Sequence, residues 1–260
     1  MRFFAALVLS LLLQGVGAQP LVIVVESYHP ENSWDREYLS GLRSKLDGVA
    51  ELDFISLDTK RLPTGEHREQ ADLAYREIQQ KNPALVLLGD DAALALLGPR
   101  LARMNLPVVF LGINADPLRY FEGRLPATVT GVLERPLYLQ NLTLIRELLG
   151  KNSRILVLLD PDRSSLILSE DIARLKPSAV TVHLASNYAD WQAQVNNAAK
   201  NYDALLLGTY QALSGAQAEH IDAEKVMQWT FENSPVPIFG FWDFAIGRQA
   251  ALGGMVLTGF

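Results

Sequence analysis

The sequence predicts an α/β fold built from two Rossmann-like lobes with parallel sheets, and three observations carry that prediction. Short continuous apolar runs recur at 21–25, 84–88, 108–111, 155–159 and 204–207, as strands buried on both faces of a parallel sheet require. Amphipathic stretches with legible ends lie between them, and that alternation is the mark of an α/β chain. The beat breaks once, over 113–130, where two prolines and a glycine interrupt the periodicity.

In chain order, the run at 21–25 is a strand. After it, Ser33 is placed to cap a helix with Asp35 and Glu37 in its first turn and Arg43 and Lys45 in its last, matching the helix dipole at both ends. Tyr38, Leu42 and Leu46 stripe its inner face, and Gly48 stops it. Ala71, Ala74, Tyr75 and Ile78 stripe the next helix, which ends before Asn82-Pro83. Strands follow at 84–88 and 108–111. Past the break, Pro136 is placed to open a helix whose core side carries Tyr138, Leu142, Ile145 and Leu149 and which closes at Gly150. Trp191 and Trp229 fall inside helical segments and read as packing residues, and a last strand is expected over 251–258. Because long structureless loops inside one domain are uncommon, the break reads as a crossover. It gives a first lobe over 19–113, a crossover over 114–127 and a second lobe over 128–260.

The first residues, MRFFAALVLSLLLQGVGAQP, have a different character. A basic start, an apolar stretch too short to span a bilayer and a small-residue close at Val16-Gly17-Ala18 make a secretory signal over 1–18, cut after Ala18. The expected destination is the bacterial periplasm. The 260 residues carry a net charge of −6 and no cysteine. The acidity argues against a nucleic-acid partner. The missing cysteines exclude disulfides, thiolate metal sites, thiol catalysis and a cysteine-linked lipid anchor.

Ligands of open parallel sheets bind at the carboxyl ends of the strands, so the residues just past each run are the candidates. They are Tyr28 and His29, with Asn32 and Trp34 further on; Asp90 and Asp91; Asn114; Asp160 to Ser165; Gly208-Thr209-Tyr210; and Trp242-Asp243. Aromatics, carboxylates and hydroxyls there suit a cleft for a small amphipathic ligand, and Trp34 and Trp242 are the two tryptophans expected at its mouth. No G-x-S-x-G, P-loop, G-x-G-x-x-G or H-E-x-x-H is present, so no catalytic residue, cofactor or metal is assigned. Asp90-Asp91 could serve as an acid/base pair, but adjacent carboxylates at a strand end more often cap the following helix.

An ordered set of segments carries a family resemblance. It comprises ESYHPENSWDREYLSGL after the first strand, LDTKRLP at 57–63, LVLLGDDAALALLGP at 85–99, LPVVFLGINADP at 106–117, TGVLERP at 130–136, and VPIFGFWDFAIG with ALGGMVLTGF at the end. From residue 21 to 260 the chain resembles the periplasmic substrate-binding proteins of ABC transporters with the type I two-lobed fold. More narrowly, it resembles the uncharacterised ABC-type periplasmic component family that includes tryptophan/tyrosine-type binding proteins. The resemblance implies a non-enzymatic receptor that captures an amino acid or similar amphipathic solute between its lobes and delivers it to a membrane ABC permease. Related proteins act instead as periplasmic sensors that signal to a membrane kinase or diguanylate cyclase. By position it implies ligand contacts from Tyr28, His29, Asp90, Asp91 and Asn114 in the first lobe. Ser164, Ser165, Tyr210, Trp242 and Asp243 are the corresponding contacts in the second. It further implies a return to the first lobe for a final helix. With the sequence ending at Phe260, that return helix is expected to be missing.

Overall fold

A computed structural model describes residues 19–256. The signal sequence with its cut after Ala18, and residues 257–260, lie outside the described residues. Leu21–Glu26 (β1), Glu51–Ser56 (β2), Leu85–Gly89 (β3), Val108–Ile113 (β4) and Val129–Leu133 (β5) form one sheet, in the order β2-β1-β3-β4-β5. Helices Ser33–Leu46 (α1), His67–Lys81 (α2) and Asp90–Arg103 (α3) join its strands. Tyr138–Leu149 (α4) then leads into a second sheet of Ile155–Leu159 (β6), Val180–Leu184 (β7), Ala204–Leu207 (β8) and Ile238–Gly240 (β9). Its order is β7-β6-β8-β9, with Arg163–Leu175 (α5), Tyr188–Asn201 (α6) and Ala223–Asn233 (α7) between the strands. Every strand pair is parallel.

Both sheets are covered on both faces, which is why their central strands read as unbroken apolar runs. In the first, Ile23, Val25, Val86 and Leu88 meet Ala74, Ile78, Leu94 and Leu97 of α2 and α3. Val22, Val24 and Leu87 face the other way, onto Tyr38 and Leu39 of α1. In the second, Leu156, Leu158 and Leu205 join Trp191, Val195 and Val226, while Ile155, Val157 and Leu206 join Leu142, Ile145, Leu168 and Ile172. In each sheet the strand order reverses between the central pair, β1/β3 and β6/β8. The loops leaving those four strands therefore splay apart and open a crevice.

Four expectations need correction. The second lobe does not begin at 128: β5 pairs with β4 through Val108↔Val129 and Val109↔Thr130, so the stretch 114–127 leaves and re-enters the same sheet. The crossover falls instead at 134–137, ahead of α4. As an edge strand β5 buries only Val129, so it lacks the apolar run of a central strand. Asn32, not Ser33, caps α1, accepting from Trp34 N at 3.0 Å. α4 begins at Tyr138, two residues past Pro136. No strand forms over 251–256: only the isolated bridges Phe239↔Gly253 and Ile246↔Ala251 do. There the buried Asn141 amide holds the backbone of Met255 instead, donating to its carbonyl at 2.7 Å and accepting from its N–H at 2.9 Å. Trp191 is fully buried on α6 and Trp229 packs against the same core from α7, edge-on to Tyr188, as read from the sequence. Among the described residues no helix is long and apolar enough to cross a membrane.

Candidate functional site

The carboxyl ends of the two sheets face each other, and side chains from both lobes meet between them. Past β1, the Tyr28 hydroxyl donates to Asp90 Oδ2, past β3, at 2.5 Å, and lies 3.0 Å from Ser164 Oγ on α5 of the other lobe. Past β2, Lys60 reaches Asp162 at 2.8 Å and Asp160 at 4.0 Å, with almost nothing of the three side chains exposed. Past β5, Glu134 accepts from Trp242 Nε1, past β9, at 2.9 Å.

In each lobe a buried aspartate fastens these loops. Asp91 accepts from Asn114 N at 2.8 Å, Ala115 N at 3.3 Å and the Tyr120 hydroxyl at 2.9 Å, fixing the turn past β4 to the start of α3. Asp160 accepts from Ser165 Oγ at 2.5 Å, Thr209 Oγ1 at 2.8 Å and Ala212 N at 2.9 Å, fixing the loop past β8 to that past β6. Asp90 stands between them at a φ of 70°. That is an uncommon backbone for a residue with a Cβ, and Asp is one of the few that enters it readily.

The charges are unevenly answered. Burial raises the Asp90 carboxyl well above the ordinary range, and the neighbouring Asp91 and Glu134 push it further, against the Tyr28 hydrogen bond. Burial also lifts Glu134 to about 7, opposed by the hydrogen bonds from Trp242 and Asn114. For the Lys60–Asp162 pair, burial works against both charges, yet mutual attraction prevails: Asp162 falls below its usual value and Lys60 rises above its own.

These side chains line an inner chamber of about 30 Å³ walled by Tyr28, Trp34, Trp242 and Phe244, with Asp90, Glu134, Asn114, Lys60 and Ser164 among its polar groups, beside Asn32, Thr209 and Gln211. An outer chamber of about 450 Å³ adjoins it at Lys60 and is bordered by Arg61, His67, Arg119, Arg163 and His220. Of the residues expected from sequence, Tyr28, Asp90, Asn114, Ser164 and Trp242 line the inner chamber. Asp91 and Ser165 stand behind it as fasteners. His29 turns aside to Glu31 at 2.8 Å. Tyr210 is buried in the second-lobe core, its hydroxyl on the Phe244 carbonyl at 3.2 Å. Asp243 accepts from Phe244 N at 2.8 Å and borders neither chamber. The sequence reading missed Lys60, Glu134, Gln211 and Phe244 as site residues; Trp34 and Thr209 it had noted as strand-end residues. Lys60 and Glu134 stand in LDTKRLP and TGVLERP, and recognising a strand just before each would have exposed them. Among the described residues no group of three or more His, Asp or Glu side chains is arranged to hold a metal ion.

No family model matches the chain, and no curated protein sequence matches it. Solved structures do. The ABC domain in complex with L-Trp from Streptococcus pneumonia superposes with a TM-score of 0.65 at 18% identity, over 93% of this chain and 80% of that one. An ABC sugar transporter, a periplasmic sugar-binding protein from Legionella pneumophila, gives 0.60 at 12% identity, over 93% and 90%. The transcription regulator CcpA of Lactococcus lactis gives 0.53 at 9%, over 86% and 79%. The chain has the type I periplasmic-binding fold, with two parallel-sheet lobes facing each other.

Proposed function

We propose that the protein captures a small solute between its lobes without turning it over, and that the closed, loaded form is what a membrane ABC permease recognises. The observation that carries this is the meeting in one cleft of side chains from the strand ends of both lobes, Tyr28 with Ser164, Lys60 with Asp162 and Glu134 with Trp242. A ligand entering there replaces lobe-to-lobe contacts with contacts of its own, which couples binding to closure. The solute-binding proteins of the same fold support the reading, as does the secretory signal read in the sequence over 1–18, which fits capture in the periplasm.

The test is a thermal-shift screen of residues 19–260 against amino acids, amines, polyamines, purines and sugars, followed by calorimetry and recovery of the ligand intact. A ligand at a hundred times its Kd stabilises by about 2.7 kcal/mol. Trp242→Ala and Asp90→Ala are each expected to weaken the hit roughly tenfold or more, as loss of a buried anchor does. A hit bound equally well by both variants, or returned chemically changed, overturns the proposal.

A further inference from the structure

The inner chamber carries two carboxylates with no ion-pair partner among the described residues. Asp90 is buried with Tyr28 as its partner and Glu134 with Trp242, and among the described residues neither comes within ion-pair distance of a basic group. Two of the bases nearby are engaged elsewhere, and a third, Arg163, acts on Asp91 rather than on this pair. Lys60 is held by Asp162 and Asp160. Arg135 spends one nitrogen on the carbonyls of Ile113, Asn114 and Glu134. Repulsion from Asp91 and Glu134 on Asp90, and from Asp91 on Glu134, adds to the burial that raises both carboxyls, so a cation seated between them gains from relieving it.

A second, independent feature points the same way. The Asn114 amide nitrogen is turned to two oxygens, Gly112 O at 3.3 Å and Glu134 Oε2 at 3.4 Å, which fixes its orientation. Its Oδ1 therefore faces away, buried in a side chain only 5% exposed that lines the chamber, and it finds no donor. Of the two unpartnered buried polar atoms on residues lining the chamber, Asn114 Oδ1 is an acceptor awaiting a donor and stands on the residue bonded to Glu134, while Trp34 Nε1 is a donor.

Part of what this fold offers an anion is taken by the chain itself. Helix N-termini bind carboxylates through free N–H groups. At α3, however, Asp91 N donates to Asp90 Oδ1; at α5, Ser164 N donates to Asp162; and at α1, Trp34 N donates to Asn32. A ligand carboxylate would meet helix ends whose leading N–H groups are partly taken, and two acidic groups. An ammonium would meet Asp90, Glu134, Asn114 Oδ1 and aromatic rings, which attract cations further.

We propose that the inner chamber takes the head of an organic cation with no carboxylate of its own, an amine or a quaternary ammonium, paired to Asp90 and Glu134 and walled by Trp34, Trp242 and Phe244. This rests on the capture reading above and narrows its solute class. Two matched probe sets test it by titration calorimetry on residues 19–260. Phenethylamine, phenylalanine and 3-phenylpropionate share a body and differ in charge; choline and 3,3-dimethyl-1-butanol share a shape and differ in charge. At least one cation is expected to bind, tighter than its matched partners by roughly tenfold or more. Glu134→Gln, which keeps the shape and the Trp242 hydrogen bond, should remove most of that margin. If phenylalanine or phenylpropionate binds as tightly as phenethylamine and depends on Trp242, the cation inference fails while solute capture at this site stands. If neither cation binds, the inference fails. Should the broad screen also find no ligand, the capture reading falls with it.

Discussion

Glu134 is the most telling single residue, because its environment sets both a stability profile and a charge preference. Its folded carboxyl sits at about 7 against an ordinary 4.5, through burial first. The folded state thus holds a proton that the unfolded chain has already released. Stability must fall as pH climbs from about 4.5 to about 7 and level off above, a loss on the order of 3 kcal/mol for one such group. Asp90 shifts in the same direction and adds to the slope. Glu134→Gln abolishes this group's share. The variant is expected to match the parent near pH 5 and to melt higher at about pH 8, by calorimetry with no ligand added. Equal melting temperatures at about pH 8 would mean that a cation already neutralises the carboxylate. Its role could not be read from composition. Glu134 is one of 29 acidic residues, and only the strand before it brings it to the chamber.

Elements explain which parts of the site were legible in the sequence. The strands found there, β1, β3, β4, β6 and β8, are mostly buried, and their loops supplied Tyr28, Asp90, Asn114 and Ser164. β2, β5 and β7 are edge strands with scarcely a buried residue, so they show no continuous apolar run. Missing β2 hid Lys60, and missing β5 hid Glu134 and displaced the lobe boundary. β4 adds a constraint that was legible only as a glycine. Gly112 has a φ of +71°, and a Cβ there would stand 2.9 Å from Trp34 Cζ2. Gly112→Ala is therefore expected to cost stability twice, through the left-handed backbone and through displacing the Trp34 ring, about 2–4 kcal/mol in urea unfolding. Gly123→Ala is the control: its φ is +83° with nothing within 4 Å of the added Cβ, so it loses only the backbone part, about 1 kcal/mol. Equal losses would show that the Trp34 contact relaxes freely. Only Gly112→Ala is expected to weaken a bound ligand as well.

At the scale of the molecule, the repeating strand–helix beat made two lobes legible, but nothing local foretold how they are held together. Across the cleft the strongest link is Lys60–Asp162, at 2.8 Å with 2% and 5% of the side chains exposed. Such a pair contributes little net stability where it replaces good packing, yet breaking one side strands a buried charge at about 3–5 kcal/mol. Two large units joined by few polar contacts have an inexpensive way to relieve that charge: they part and let water reach it. Asp162→Ala should accordingly open the lobes, seen as a larger radius of gyration in solution scattering with each lobe's secondary structure intact by circular dichroism. The double variant Lys60→Met/Asp162→Leu replaces the pair with apolar groups of similar size and should restore the compact value, since the remaining buried Asp160 keeps its hydrogen bonds from Ser165, Thr209 and Ala212. A compact Asp162→Ala with a lowered melting temperature would locate the pair's effect within the second lobe, through its neighbour Asp160, and leave closure to Tyr28–Ser164 and Glu134–Trp242. Under the capture proposal, opening by Asp162→Ala has a further consequence. The variant must draw on ligand binding energy to close, so its affinity falls by the free energy of opening even though Asp162 need not touch the ligand.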